Sequence, residues 1–228
     1  MHFPPALCFN KEDILNKEKK SILLAVSLGD GCIGPKNSLY IEHSINQLEF
    51  IKWKKELLEK ILNRKINLRI RERFDTRTNK TYKSAMIMAG NKYFKIIKRW
   101  LYKPEKTYSR FVLNRLTPLG IAIWYMDDGG CKFRISKKTN KVSSIQLSLY
   151  AYCSYNEAVL IQEYFQEVHN IFFQIYERKD KKCVLCANTA NGNKFIELVR
   201  PYMIPSMMYK IDINSKSAKP LIEGEDIV

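Results

Sequence analysis

The run Ser21-Ile22-Leu23-Leu24-Ala25-Val26-Ser27-Leu28-Gly29-Asp30-Gly31 is apolar on nearly every side and then ends in Asp-Gly. A helix of that composition belongs in a protein interior. It is predicted over Lys17 to Gly29, with Gly31 ending it. A carboxylate at the end of such a helix is costly unless something compensates it. The same arrangement returns about 100 residues later as Leu119-Gly120-Ile121-Ala122-Ile123-Trp124-Tyr125-Met126-Asp127-Asp128-Gly129.

A second pair of segments repeats in the same order and at nearly the same spacing. Gly90-Asn91-Lys92-Tyr93-Phe94 leads to Lys103-Pro104, and Gly192-Asn193-Lys194-Phe195-Ile196 leads to Arg200-Pro201. Two matched features of this kind indicate a tandem duplication. The first half reads as helix Lys17 to Gly29, a strand over Cys32 to Ser44 with a kink or turn at Pro35-Lys36-Asn37, and helix Leu48 to Leu62. Strands follow over Ile66 to Phe74 and Thr81 to Met88, then helix Asn91 to Leu101. In the strand Ile66 to Phe74, Ile66, Leu68 and Ile70 predict an apolar face and Asn67, Arg69 and Arg71 a polar, basic one. The second half repeats the order: helix Pro118 to Asp127, strands Gly130 to Ser136 and Ser144 to Tyr150, helix Tyr155 to His169, strands Phe172 to Arg178 and Lys182 to Ala187, and helix Asn193 to Tyr202. The expectation is an α+β chain of two pseudosymmetric αββαββα units, residues 1–106 and 118–228, joined by a linker at 107–117.

The chain has 228 residues, a formal net charge of +16 and 46% hydrophobic residues. That apolar content supports a core, and so large a positive charge points to nucleic acid or an anionic membrane. Membrane is the weaker reading, because no apolar run reaches the ~20 residues of a spanning helix and the basic residues are spread along the whole chain. Met1 to Asn10 lacks the pattern of a secretory signal. Cys8, Cys32, Cys131, Cys153, Cys183 and Cys186 are therefore read as free thiols. Cys183 and Cys186 form a lone CxxC, without the second pair a structural zinc site needs.

Ala25 and Gly29 permit the two apolar helices to approach closely, which would bring Asp30 and Asp128 together at the base of their interface. Two such carboxylates repel unless a cation lies between them, and a hard divalent ion such as Mg²⁺ takes carboxylate oxygens together with phosphate and water. The competing reading is that each Asp-Gly merely turns the chain; its occurrence twice in a basic, duplicated protein favours the metal. Gly29 and Asp127, which precede the two acids, are further candidates at the metal, although Asp127 also suits a helix cap. Lys106 and Lys210 follow the closing helices of the two halves, where a cation can stabilise a phosphate undergoing attack. Arg69, Arg71 and Arg73 alternate along one strand, as do Lys132 and Arg134 along another. Lys36, Lys83, Lys137, Lys138, Arg178 and Lys181 lie at neighbouring strands or turns. A basic two-stranded ribbon fits the major groove of DNA.

The two helices resemble the paired signature of the LAGLIDADG homing endonucleases. The copies are Leu23-Leu24-Ala25-Val26-Ser27-Leu28-Gly29-Asp30-Gly31 and Ile121-Ala122-Ile123-Trp124-Tyr125-Met126-Asp127-Asp128-Gly129. Leu116-Thr117-Pro118-Leu119 and Pro205-Ser206-Met207-Met208-Tyr209-Lys210 look like the two-motif, monomeric members encoded in yeast mitochondrial introns. The resemblance spans residues 20–212. It implies saddle-shaped antiparallel sheets on double-stranded DNA, Mg²⁺ held by Asp30 and Asp128, and a double-strand break with short 3′ overhangs in a long asymmetric site. It also implies that Lys106 and Lys210 are active-site basic residues. Ser27 and Leu28 depart from the first motif, and Ile123 and Asp127 from the second, which bears on helix packing more than on catalysis.

Two other classes share the fold: a maturase that binds intron RNA, and a non-catalytic DNA-binding regulator. Retention of both aspartates favours the nuclease. An intein host is not expected, since no splicing domain flanks the chain. The compartment is read as intracellular, either mitochondrial or the cytoplasm of a bacterium or phage-infected cell.

Overall fold

The computed structural model describes residues 16–214 and 221–222. The Met1 to Asn10 segment and Cys8 lie outside them.

Asn16 caps the first helix, α1 (Lys17–Leu28), by accepting from the Lys19 amide. Every residue of α1 from Ser21 to Leu28 is buried, as its apolar circumference requires. The helix ends at Gly29, whose N–H bonds Ala25 O at 3.1 Å; this is two residues before the predicted Gly31. A two-residue strand β1 (Cys32–Ile33) and a turn through Asn37 (φ 52°) lead to β2 (Ser38–Ser44). Asn and Gly are the residues that tolerate such a left-handed turn position. Helix α2 (Leu48–Leu62) ends at left-handed Asn63. Strands β3 (Leu68–Asp75) and β4 (Lys80–Gly90) follow, then α3 (Lys92–Leu101), capped by Asn91.

The segment predicted as a linker holds a short helix, α4 (Arg110–Leu113), with Val112 and Leu113 buried. The second half runs α5 (Pro118–Asp128), β5 (Gly129–Ile135), β6 (Val142–Cys153), α6 (Tyr155–His169), β7 (Gln174–Glu177), β8 (Cys183–Ala187) and α7 (Thr189–Val199). Helix α6 ends at left-handed Asn170, as α2 ends at Asn63. Helix α7 starts at Thr189, not Asn193, because Asn188 caps it. Gly192 therefore lies inside the helix, where an added Cβ would stand 3.1 Å from Ile145 Cδ1. The matching Gly90 ends a strand, so the repeat in sequence is not a repeat in local structure at this point.

The strands form two mixed-length, mainly antiparallel sheets, ordered β1-β2-β4-β3 and β7-β8-β6-β5-β9. The last, β9 (Leu221–Ile222), adds parallel to β5 as an unanticipated fifth strand. The architecture is the expected α+β pair of αββαββα units. Helices α1 and α5 pack against each other at the centre. Thr117 N donates to Ser21 Oγ at 2.8 Å across that interface, and Gly120 leaves the space that Ser21 occupies.

One face of each sheet packs on the core and the other is open. In the first sheet, Tyr40 pairs with Met88, Arg71 with Ser84 and Arg73 with Tyr82, placing these on the open face. Ile41, His43, Ala85 and Ile87 share the opposite face. β3 departs from its predicted amphipathic pattern: no residue of it is buried, and Ile70 is 50% exposed. It is the edge strand of its sheet, and α2 packs on β2 and β4, so the second face of β3 finds no core.

Candidate active site

The chemistry-bearing residues collect where α1 and α5 end. A Cβ placed on Gly29 would stand 2.6 Å from Asp127 Cβ, so glycine alone allows the two helices to approach this closely here. Asp30 then emerges with a 44% exposed side chain. Asp128 stays mostly buried and accepts from Trp124 Nε1 at 3.1 Å. Burial, and then the charges of Asp127 and Asp30, push the Asp128 carboxyl up to about 7. The expected crowding of carboxylates is therefore present, with three acids contributing.

The two predicted lysines occupy related positions. Lys106 Nζ donates to Leu28 O, Gly29 O and Gly31 O at 3.2, 2.9 and 3.1 Å. Lys210 Nζ donates to Met126 O and Asp127 O at 2.6 and 2.9 Å. Each ammonium thus satisfies the carbonyls left open at the end of one motif helix, which is also the negative end of its dipole. Burial lowers both lysines, Lys210 to about 8. Lys106 shares a cavity of about 660 Å³ with Gly29, Asp128, Tyr150, Tyr152 and Lys182.

Asp127 does not cap its helix. Its carboxylate is fully buried and paired with the fully buried Lys54 ammonium. Its Oδ2 accepts from the Asp30 amide at 3.3 Å. Lys54 also contacts His43 Nε2 at 3.0 Å. His43 Nδ1 lies 3.1 Å from Gln47 Oε1 and 3.4 Å from Asp30 Oδ2. Burial and the Lys54 charge lower His43 to about 4, so the imidazole is neutral near pH 7. It accepts from Lys54 through Nε2 and donates through Nδ1. Among the described residues, Asp30, His43 and Asp127 bring possible metal-ligand atoms within 4.8 Å of one another.

Sequence reading missed His43, Lys54 and Trp124, although a signal existed for the first two. Lys54 lies at helical spacing between Phe50 and Leu58, on the stripe that is buried. His43 alternates with Leu39 and Ile41 on the inward face of β2.

The eleven basic residues predicted to meet DNA are all exposed and none enters the acidic centre. Arg69, Arg71 and Arg73 share the open face of the first sheet, and Lys132 and Arg134 that of the second. Lys83 occupies the opposite pleat from those arginines and pairs with Glu72 at 2.8 Å. Lys36, Lys137 and Lys138 lie in turns. Arg178 lies 5.1 Å from the Tyr152 ring centre, and Lys181 pairs with Glu177 at 2.9 Å. Cys183 is buried and Cys186, three residues on in the same strand, points to the other face, so the pair cannot chelate one ion. No helix among the described residues is long and apolar enough to cross a membrane.

Residues 20–195 match the sequence profile of the LAGLIDADG DNA endonuclease family. The chain belongs to that family. A relative described as probable intron-encoded endonuclease 1 of Wickerhamomyces canadensis is 30% identical over 179 residues, covering 78% of this chain and 71% of the relative. Protein RecA of Mycolicibacterium flavescens is 30% identical over 210 residues, covering 86% of this chain and 47% of that protein. The chain spans about half the length of the RecA relatives it matches. The LAGLIDADG fold is matched by the structure of the homing endonuclease I-WcaI bound to its DNA recognition sequence. Its TM-score is 0.72 at 20% identity, over 87% of each chain.

Proposed function

We propose that this LAGLIDADG protein is a site-specific homing endonuclease that makes a double-strand break in DNA by Mg²⁺-dependent phosphodiester hydrolysis, acting as a monomer on a long asymmetric site. The observation that carries the reading is the gathering of Asp30, Asp127 and Asp128 where α1 and α5 end, with Lys106 and Lys210 bonded to the carbonyls of the two helix ends; burial and the neighbouring acids push the Asp128 carboxyl up. A carboxylate so placed favours a bound cation, which would relieve the repulsion that raises it.

Asp30 and Asp128 are the carboxylates that would hold the ion; the Gly29 and Asp127 carbonyls beside them accept from Lys106 and Lys210. Bound Mg²⁺ supplies the charge that activates water and stabilises the leaving oxygen. Lys106 and Lys210, fixed on the helix-end carbonyls, place positive charge beside the scissile phosphates, where it stabilises the transition state more than the ground state. Arg69, Arg71, Arg73, Lys132 and Arg134 would set the two open sheet faces on the duplex, with phosphate contacts fixing register and base edges giving specificity. The unequal halves fit a single chain reading two different half-sites, and the matched RecA and intron-encoded relatives suit a mobile endonuclease unit.

The test is cleavage of a plasmid carrying the uninterrupted sequence that flanks this gene. Wild type is expected to give a linear product with Mg²⁺ and none with a chelator. Asp30→Asn and Asp128→Asn should bind without linearising it. Tight DNA binding without cleavage by the wild type would overturn the nuclease reading in favour of a regulator, and preferential binding of intron RNA would favour a maturase.

A further inference from the structure

The second motif places Asp127 where the first has Gly29, and the consequences fall on one half of the molecule. The Asp30 N–H donates to Asp127 Oδ2 at 3.3 Å. The other oxygen of that carboxylate pairs with Lys54, which donates to His43 Nε2 at 3.0 Å. His43 Nδ1 donates to Gln47 Oε1 at 3.1 Å and lies 3.4 Å from Asp30 Oδ2. The contacts close a ring that starts at the backbone of Asp30 and ends on its carboxylate. Three elements build it: α5, α2 and β2. The Lys54, His43 and Asp127 side chains are 0%, 2% and 0% exposed.

The ring is not itself a metal site. The Lys54 ammonium already binds both His43 Nε2 and Asp127 Oδ1. A metal ion on those two atoms would have to displace the buried Lys54 ammonium from the Asp127 carboxylate that compensates it. The ring instead fixes the direction of Asp30, whose side chain is otherwise half open to solvent.

The Asp128 centre is constructed differently. Its carboxylate accepts from the Trp124 indole on its own helix. The seventh residue of α6, corresponding in position to Lys54 on α2, is the fully buried Ile161. The polar ring therefore has no counterpart in α6 at that position.

We propose that His43 and Lys54 are positioning residues for the Asp30 centre, so that loss of either slows cleavage of one DNA strand selectively. The proposal rests on the endonuclease reading above. Neither residue needs to touch DNA; each acts through Asp30 and Asp127. Orientation of a metal-binding carboxylate by partners of this kind is worth roughly 10–100-fold in activity.

The test uses a target duplex labelled distinguishably on its two strands, with single-turnover rates measured in Mg²⁺ for each strand. Asp30→Asn identifies the strand that depends on the Asp30 centre. His43→Ala, which keeps the Lys54–Asp127 pair, is expected to slow that strand at least tenfold relative to the other and to accumulate a nicked duplex. Lys54→Met is expected to bias cleavage the same way, and His43→Gln, whose amide can still donate to Asp30, to recover part of the rate. The ratio of strand rates is insensitive to the fraction of protein folded, since an unfolded molecule cuts neither strand. Equal slowing of both strands by His43→Ala, no slowing, or an Asp30→Asn effect that is the same on both strands overturns the proposal while leaving the endonuclease reading intact. A wild type that cuts neither strand removes the endonuclease reading, and this inference with it.

Discussion

Gly29 and Asp127 meet where the two motif helices end, and each determines what the other can be. A Cβ on Gly29 would lie 2.6 Å from Asp127 Cβ and 2.7 Å from its Cγ. Both positions sit at helix ends in the core, where backbone shifts would also move Asp30 and Asp128. Gly29→Ala is expected to destabilise the protein by about 2–4 kcal/mol through overpacking of the interface. Asp127→Ala will not rescue it, because the Cβ of residue 127 is itself too near. Urea unfolding of the two single variants and the double variant measures this.

Asp128 makes stability depend on pH in a definite direction. The folded chain keeps the carboxyl proton up to about pH 7, whereas the unfolded chain loses it near 3.8. Without metal, the Asp128 contribution to stability is therefore expected to fall as the pH rises between those values and to level off above them, opposed between about 4 and 6.5 by His43, whose lowered pKa acts in the other direction. Asp128→Asn keeps an acceptor for the Trp124 indole and removes the charge. It should be more stable than wild type by roughly 1–3 kcal/mol at pH 8 in a chelator, and equal to it near pH 4. Thermal melts at the two pH values check the sign.

Metal binding opposes the same proton. At limiting Mg²⁺ the cleavage rate is expected to rise about tenfold per pH unit below pH 7, as Asp128 becomes available. Lys210, lowered by burial to about 8, loses its charge above that pH. The rate should then decline, giving a bell-shaped profile. Lys210→Met should abolish the alkaline limb and reduce the rate at least 100-fold, with DNA binding in Ca²⁺ little changed. A profile without an alkaline limb in the wild type would rule out a charged Lys210 as a requirement.

The Lys54–Asp127 pair is buried without solvent to share its charge. Lys54→Met leaves the Asp127 carboxylate unpaired in the core and is expected to cost about 3–5 kcal/mol. The Lys54→Met, Asp127→Asn double variant should recover a large part of that loss. A double-mutant cycle in denaturant measures the coupling, and additive effects would show that the two side chains act independently.

The basic sheet faces should separate by the pleat each residue occupies. Arg71→Ala is expected to weaken DNA binding by about 1 kcal/mol and to reduce the salt dependence by about one ion. Lys83→Ala should have a smaller effect, because Lys83 faces the other way and is paired with Glu72. Binding isotherms across a range of salt concentrations distinguish the two.

The sequence by itself determined the elements that depend on local pattern. Helices α2 and α6 were legible to the residue, because their apolar spacing and their Asn63 and Asn170 ends are local properties. The two Asp-Gly helix ends and the paired Lys106 and Lys210 were legible because duplication printed them twice. Only the tertiary structure decided what surrounds them. Lys54 and Asp127 are remote in the chain, and each reads alone as an ordinary charged residue. Their burial becomes affordable only when α2 and α5 exclude water from both at once and supply each with the opposite charge. The exposure of β3 was hidden for a related reason: its apolar alternation predicts a buried face, but whether a partner covers that face depends on the strand's place at the sheet edge, beyond the strands on which α2 packs. Local chemistry fixes which residues are available for a site, and the packing of distant elements decides which of them are desolvated, paired and aimed.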